Sequence, residues 1–130
     1  MKTSKIRIDG KEYTMCFSAR VMRACVDRFG DLNKFDKSLM SENIGEALDT
    51  AIWMLATMMD AGARYDKLCG TGSGTAPTKD ELYDLVDTTD LKEMKTKIAE
   101  TITGNVEYAC KFIRERFDGV DLATPQGTYL

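Results

Sequence analysis

The sequence predicts a mainly α domain in which an amino-terminal β-hairpin packs on a small bundle of three main helices plus one short helix. Three observations carry that fold class. An Asp9-Gly10 dipeptide separates two short strand-like runs, apolar residues recur at helical spacing over three longer segments, and a Gly/Ser/Thr-rich stretch at 69–77 leads into a helix-capping motif. With 130 residues, 43% of them apolar and 30% charged, the chain fits a single domain over 1–117, with a tail over 118–130.

The hairpin comes first, over 1–17. Ile6-Arg7-Ile8 and Tyr13-Thr14-Met15 flank Asp9-Gly10, the dipeptide that best tolerates the positive φ angles of a type I′ turn. A two-residue turn sets Ile8 opposite Lys11, Arg7 opposite Glu12 and Ile6 opposite Tyr13. The apolar pair Ile6 and Tyr13 then shares one face and the opposite-charge pair lies on the other. Because only two strand patterns exist, the unpaired hairpin edge is an expected assembly surface.

Ser18 caps a first helix over Ala19–Phe29, with Met22, Cys25, Val26 and Phe29 as its apolar stripe and Gly30 as its stop. A second, central helix runs from after Ser41 to about Ala61, with Gly62 as its end and Ala63 to Leu68 as a further turn. Ile44, Leu48, Ala51, Ile52, Leu55 and Met59 form one stripe, widened by Ala47, Met54 and Met58. Glu46, Asp49, Thr50, Thr57 and Asp60 form the polar remainder, and Trp53 lies in the middle of it. A tryptophan there is either covered by another element, such as the hairpin, or anchors a partner protein.

The loop at 69–77 lacks the Gly-Lys-Ser/Thr of a P-loop and the preceding strand of a dinucleotide fold, so nucleotide binding is not expected. Thr78-Lys79-Asp80-Glu81 is a capping box opening a short helix over Lys79–Val86. Its acidic group, Asp80, Glu81, Asp84 and Asp87, lacks the spacing of a calcium loop, and no metal site is assigned. From near Asp90, Leu91, Met94, Ile98, Ile102, Val106, Ala109, Ile113 and Phe117 mark a last helix, which Gly104-Asn105 bends or splits.

Composition narrows function further. No histidine is present, which removes imidazole bases, Ser-His and Cys-His nucleophiles and His-liganded metals. Cys16, Cys25, Cys69 and Cys110 match neither a redox C-x-x-C pair nor zinc spacing, so reduced thiols are expected. A net charge of -3 argues against bulk nucleic-acid binding, although the first thirty residues carry seven basic and three acidic groups. Met1 to Arg7 is charged, no apolar run approaches membrane-spanning length, and a cytoplasmic location is expected.

Several features in one order resemble a family. Ile8-Asp9-Gly10-Lys11-Glu12-Tyr13, a helix ending Arg28-Phe29-Gly30, a central Trp53-Met54-Leu55-Ala56 and the later Asp80-Glu81-Leu82-Tyr83-Asp84-Leu85-Val86 are similar to phage tail assembly chaperones of siphoviruses and prophages of Gram-positive bacteria. The resemblance covers about residues 4–117. It implies a non-enzymatic, cofactor-free helical protein of the bacterial host cytoplasm. Such a protein binds the long tape-measure protein and keeps it soluble until tail-tube subunits polymerise around it.

For such a helix-rich partner, an apolar groove or exposed stripe is the receiving surface. Trp53, Met54, Met58, Met59 and Met94 are the partner-binding candidates, methionine being adaptable enough for varied partners. The tail-tube protein and a second copy of the chain are further candidate partners; nucleic acid and membrane are not. The alternative reading is a structural component of the phage particle, such as a head-tail connector or tail-completion protein. A small regulator that contacts nucleic acid through Lys5, Arg7, Lys11, Arg20 and Arg23 is a third class, recognisable by steep salt dependence.

Overall fold

The computed structural model describes residues 3–72 and 75–103. In chain order the elements are β1 (Thr3–Ile8), β2 (Lys11–Cys16), α1 (Ala19–Phe29), α2 (Leu32–Leu39), α3 (Ile44–Leu68), α4 (Lys79–Leu85) and α5 (Leu91–Thr103). A single 3₁₀ turn over Thr88–Asp90 leads into α5. The protein is mainly helical with an amino-terminal two-stranded antiparallel hairpin, as its patterning predicts.

Turn chemistry fixes the hairpin. Asp9 (φ +49°) and Gly10 (φ +82°) both take the left-handed region that a type I′ turn requires. The strands pair Ile8 with Lys11, Arg7 with Glu12 and Ile6 with Tyr13, the register that this turn imposes. Ile6, Ile8 and Met15 face the core. The register also turns the Thr14 carbonyl away from β1. Helix α3 covers that outer edge so closely that a Cβ built on Gly62 would lie 2.0 Å from the Thr14 oxygen.

Gly62 therefore does not end the central helix. It is buried within α3, where the absent side chain lets helix and strand backbones touch, and α3 runs on unbroken to Leu68. The start lies slightly beyond the expected one after Ser41: α3 begins at Ile44, capped by Asn43, which accepts from the Glu46 amide at 3.1 Å. Ser41 instead donates to the Glu46 carboxylate at 2.9 Å.

Helix α1 has the expected limits. Ser18 accepts from the Val21 amide, and Gly30 (φ +98°) closes the helix onto the Val26 carbonyl at 2.8 Å. Its buried face is centred on Val21 and Cys25, however, leaving Met22 and Val26 at the surface and Phe29 half-buried. Helix α2 has no counterpart among the expected elements. Asp31 caps it from the Lys34 amide at 2.8 Å, and Leu32, Phe35 and Leu39 give it a core-facing edge.

Helix α4 opens with the reciprocal Thr78/Glu81 capping box and is anchored by fully buried Leu82. Helix α5 lies across α3 and β1, inserting Leu91, Met94 and Ile98 into the core. Thr101 near its end meets Ser4 of β1 at 2.5 Å. No helix among the described residues is long and apolar enough to cross a membrane. The proposed bend at Gly104-Asn105, the continuation of α5 to Phe117, Cys110 and the 118–130 tail lie outside the described residues.

Candidate functional site

The stripe of α3 that reads as solvated in sequence is where α1, α2 and α4 dock. Thr50 is buried and shares a 2.6 Å hydrogen bond with Ser38 of α2, while Glu46 accepts from Ser38 at 3.2 Å. One turn on, Trp53 is half-buried under the end of α1. Its ring meets the Phe29 ring edge-on, with centroids 5.4 Å apart, and Phe29 contacts Phe35 in the same way at 5.4 Å. The Arg28 guanidinium carbon lies 5.1 Å from the Trp53 centroid and 5.6 Å from that of Phe29. The element that covers Trp53 is thus α1 and not the hairpin.

Asp49 ties three helices together at this place. It accepts from Arg28 Nη2 of α1 at 3.2 Å, from Lys79 Nζ of α4 at 2.9 Å and from the Tyr83 hydroxyl of α4. Each ion pair is partly exposed and contributes at most about 1 kcal/mol. The value of the arrangement is geometric, since one carboxylate orients Arg28 over Trp53 and holds α4 against α3. The result is a surface on which the Trp53 ring and the Tyr83 hydroxyl are joined through Arg28 and Asp49, next to the side of α1 that carries exposed Met22 and Val26, whereas Leu85 lines a separate hollow with Lys11, Tyr13 and Pro77. Met22, Val26 and Phe29 share one side of α1 by their three- and four-residue spacing.

The four candidate methionines are elsewhere. Met54, Met58 and Met59 are 0% exposed and Met94 is 1% exposed, all within the one buried core that α3 shares with the hairpin and the other helices. The expected methionine-lined groove is therefore not on the described surface, because the hairpin and helices of this same chain occupy the apolar face of α3. Ile44, placed in that stripe by its spacing, is instead 62% exposed at the first turn of α3. Of the predicted contact residues only Trp53 reaches the surface. Its neighbours Arg28, Asp49 and Tyr83 belong to the same site; in sequence Arg28 and Tyr83 lie within stretches that carry the family resemblance and Asp49 lies in the polar stripe of α3, and none of the three reads as a contact residue.

The site offers aromatic faces, oriented cations and a carboxylate, a set suited to gripping a protein surface. Among the described residues no three His, Cys, Asp or Glu side chains form a metal-binding group. Within the acidic group of α4, Glu81 and Asp87 serve as helix-capping side chains. No family model, curated protein or solved structure matches this chain.

The electrostatics of the cluster give it a pH signature. The Tyr83 hydroxyl is pushed from its ordinary value of 10 up to about 12, first by burial and then by its bond to Asp49. The unfolded chain therefore loses this proton before the folded one does. The stabilising contribution is complete below pH 10 and is lost as pH rises toward about 12. Asp49 has the opposite sign: the Tyr83 hydroxyl, then Lys79 and Arg28, hold its carboxyl below the usual range. That contribution is present at neutral pH and is lost as pH falls through the lowered value. Thermal melts across pH are expected to show a shallower alkaline limb for Tyr83→Phe than for the wild type. Parallel limbs would separate Tyr83 from the stability of the fold.

Proposed function

We propose that this chain is a non-enzymatic phage tail assembly chaperone that binds the tape-measure protein through the Trp53 surface and keeps it soluble before the tail tube forms. The observation that carries this reading is convergence. Three of the four sequence stretches that resemble the family, Arg28-Phe29-Gly30, Trp53 to Ala56 and Asp80 to Val86, contribute to the one cluster around Trp53 and Asp49. A half-buried tryptophan flanked by exposed apolar residues and an oriented arginine has the composition of a binding hot spot. A partner helix would lay its apolar row along Met22, Val26 and Trp53. In this reading the protein works in the bacterial cytoplasm, needs no cofactor and acts by covering apolar sequence.

Co-expression of the tagged full chain with its neighbouring genes, followed by capture and mass spectrometry, tests the proposal. Recovery of one very long helix-rich protein is expected. Trp53→Ala should reduce capture at least tenfold, the loss of one hot-spot side chain, and Val26→Asp should reduce it without disturbing the core. Thermal melts of both variants establish that they remain folded. Recovery of short particle proteins alone would move the assignment to a connector or tail-completion component. Unchanged capture by both folded variants would remove the Trp53 surface from the contact.

A further inference from the structure

Away from Trp53, a groove of about 950 Å³ opens between the start of α1 and the last turns of α3. Ala61, Tyr65 and Leu68 recur at four- and three-residue spacing along its α3 wall, so they form one apolar row. Leu68 at the lip is 87% exposed, the most exposed large apolar side chain among the described residues. Arg64 and Lys67 flank that row on α3, and Arg20 stands on the α1 wall. These three cations meet one lining carboxylate, Asp60, which is held by Arg64 at 2.8 Å. Arg20 and Lys67 have no ion-pair partner among the described residues. The chain as a whole carries -3, so this groove has the opposite sign to the molecule that bears it.

We propose that this groove is a second docking site, selective for an amphipathic helix whose apolar row is flanked by Asp and Glu. An apolar floor with cations on both walls matches such a helix on three sides. The floor takes the apolar row, while Arg20 meets one acidic flank and Arg64 and Lys67 meet the other. A helix with basic flanks would bring like charges together at the same positions, which makes the sign of the flank the selective feature. The inference is independent of the Trp53 surface, since no residue of one site lines the other.

The test uses two fluorescently labelled synthetic helices that share a Leu/Ala row and differ only in carrying Glu or Lys on both flanks. Binding to the full chain is followed by anisotropy at low and high salt. The Glu-flanked peptide is expected to bind about tenfold more tightly at low salt, with the preference shrinking as salt is added. An Arg20→Glu/Lys67→Glu variant, altered only at exposed positions, should lose or reverse the preference. Leu68→Asp should weaken binding, and Trp53→Ala should leave the preference intact. Equal binding of the two peptides, no binding of either, or indifference to the charge-reversed variant would overturn the proposal. Self-association that depends on Leu68, or an intramolecular Cys69–Cys110 crosslink in the peptide-free chain, would overturn it in favour of a second copy or this chain's own C-terminal segment.

Discussion

Gly62→Ala is expected to destabilise the protein by about 2–3 kcal/mol, lowering Tm by roughly 10 °C, although intrinsic helix propensity favours alanine. In an exposed helix interior the exchange would stabilise by about 1 kcal/mol. Here the added Cβ would lie 2.0 Å from the Thr14 oxygen, 2.5 Å from its carbonyl carbon and 3.0 Å from the Met15 nitrogen. The obstacle is strand backbone, so no side-chain rotation relieves it. Either α3 tilts away from β2 or the hairpin moves, and both uncover the strand edge that α3 covers. The sign of the change in Tm decides the matter. A Tm equal to or above that of the wild type would show that α3 does not press on β2 at Gly62. Larger residues should cost more, with Gly62→Val beyond Gly62→Ala.

That glycine also shows where sequence reading stops. Gly62 within an apolar helical pattern is compatible with a helix stop or with a close backbone approach, and the difference lies in Thr14, distant in the chain. Local signals were sufficient where the chemistry is local. Asp9-Gly10 specifies its own turn and hence the strand register, Ser18 and Gly30 bound α1, and Thr78 with Glu81 bounds the start of α4. The periodicity of helix α2 is not legible in the sequence because its eight residues make barely two turns, too few for it to emerge from background. Its readable signal is Asp31 as a cap followed by Leu32, Phe35 and Leu39 on one edge.

The candidate site follows the same division. Trp53 stands out because it lies among polar residues on its own helix. Asp49 looks like any solvated carboxylate until Arg28, Lys79 and Tyr83 arrive from two other helices. The sequence likewise marks Met54, Met58 and Met59 as an apolar face. It cannot say whether this chain or another protein covers that face, since either partner produces the same helical spacing.

The structure assigns those methionines to the core, and the consequence is measurable. Alanine at Met54, Met58, Met59 or Met94 is expected to cost about 3 kcal/mol each, through lost burial plus the cavity left behind. Leucine should cost less than about 1.5 kcal/mol, because it nearly conserves volume. Denaturant unfolding measures both series. The contrast with Val26→Asp is the informative part: that surface change is expected to reduce partner capture at little cost in stability. Met→Ala changes should lower stability first and capture only as the fold is lost. If Met58→Ala left stability near wild type while abolishing capture, the core would have to open and present its methionines to the partner. Such opening would expose the hairpin, α3 and α5 contacts together, since Ile6, Met15, Met58 and Ile98 belong to one buried cluster. Its free-energy cost would then approach that of global unfolding. In the proposed reading, a contact on half-buried Trp53 and its exposed neighbours Met22 and Val26 avoids that cost, which is the physical reason to place the partner there and to leave the methionines to the fold.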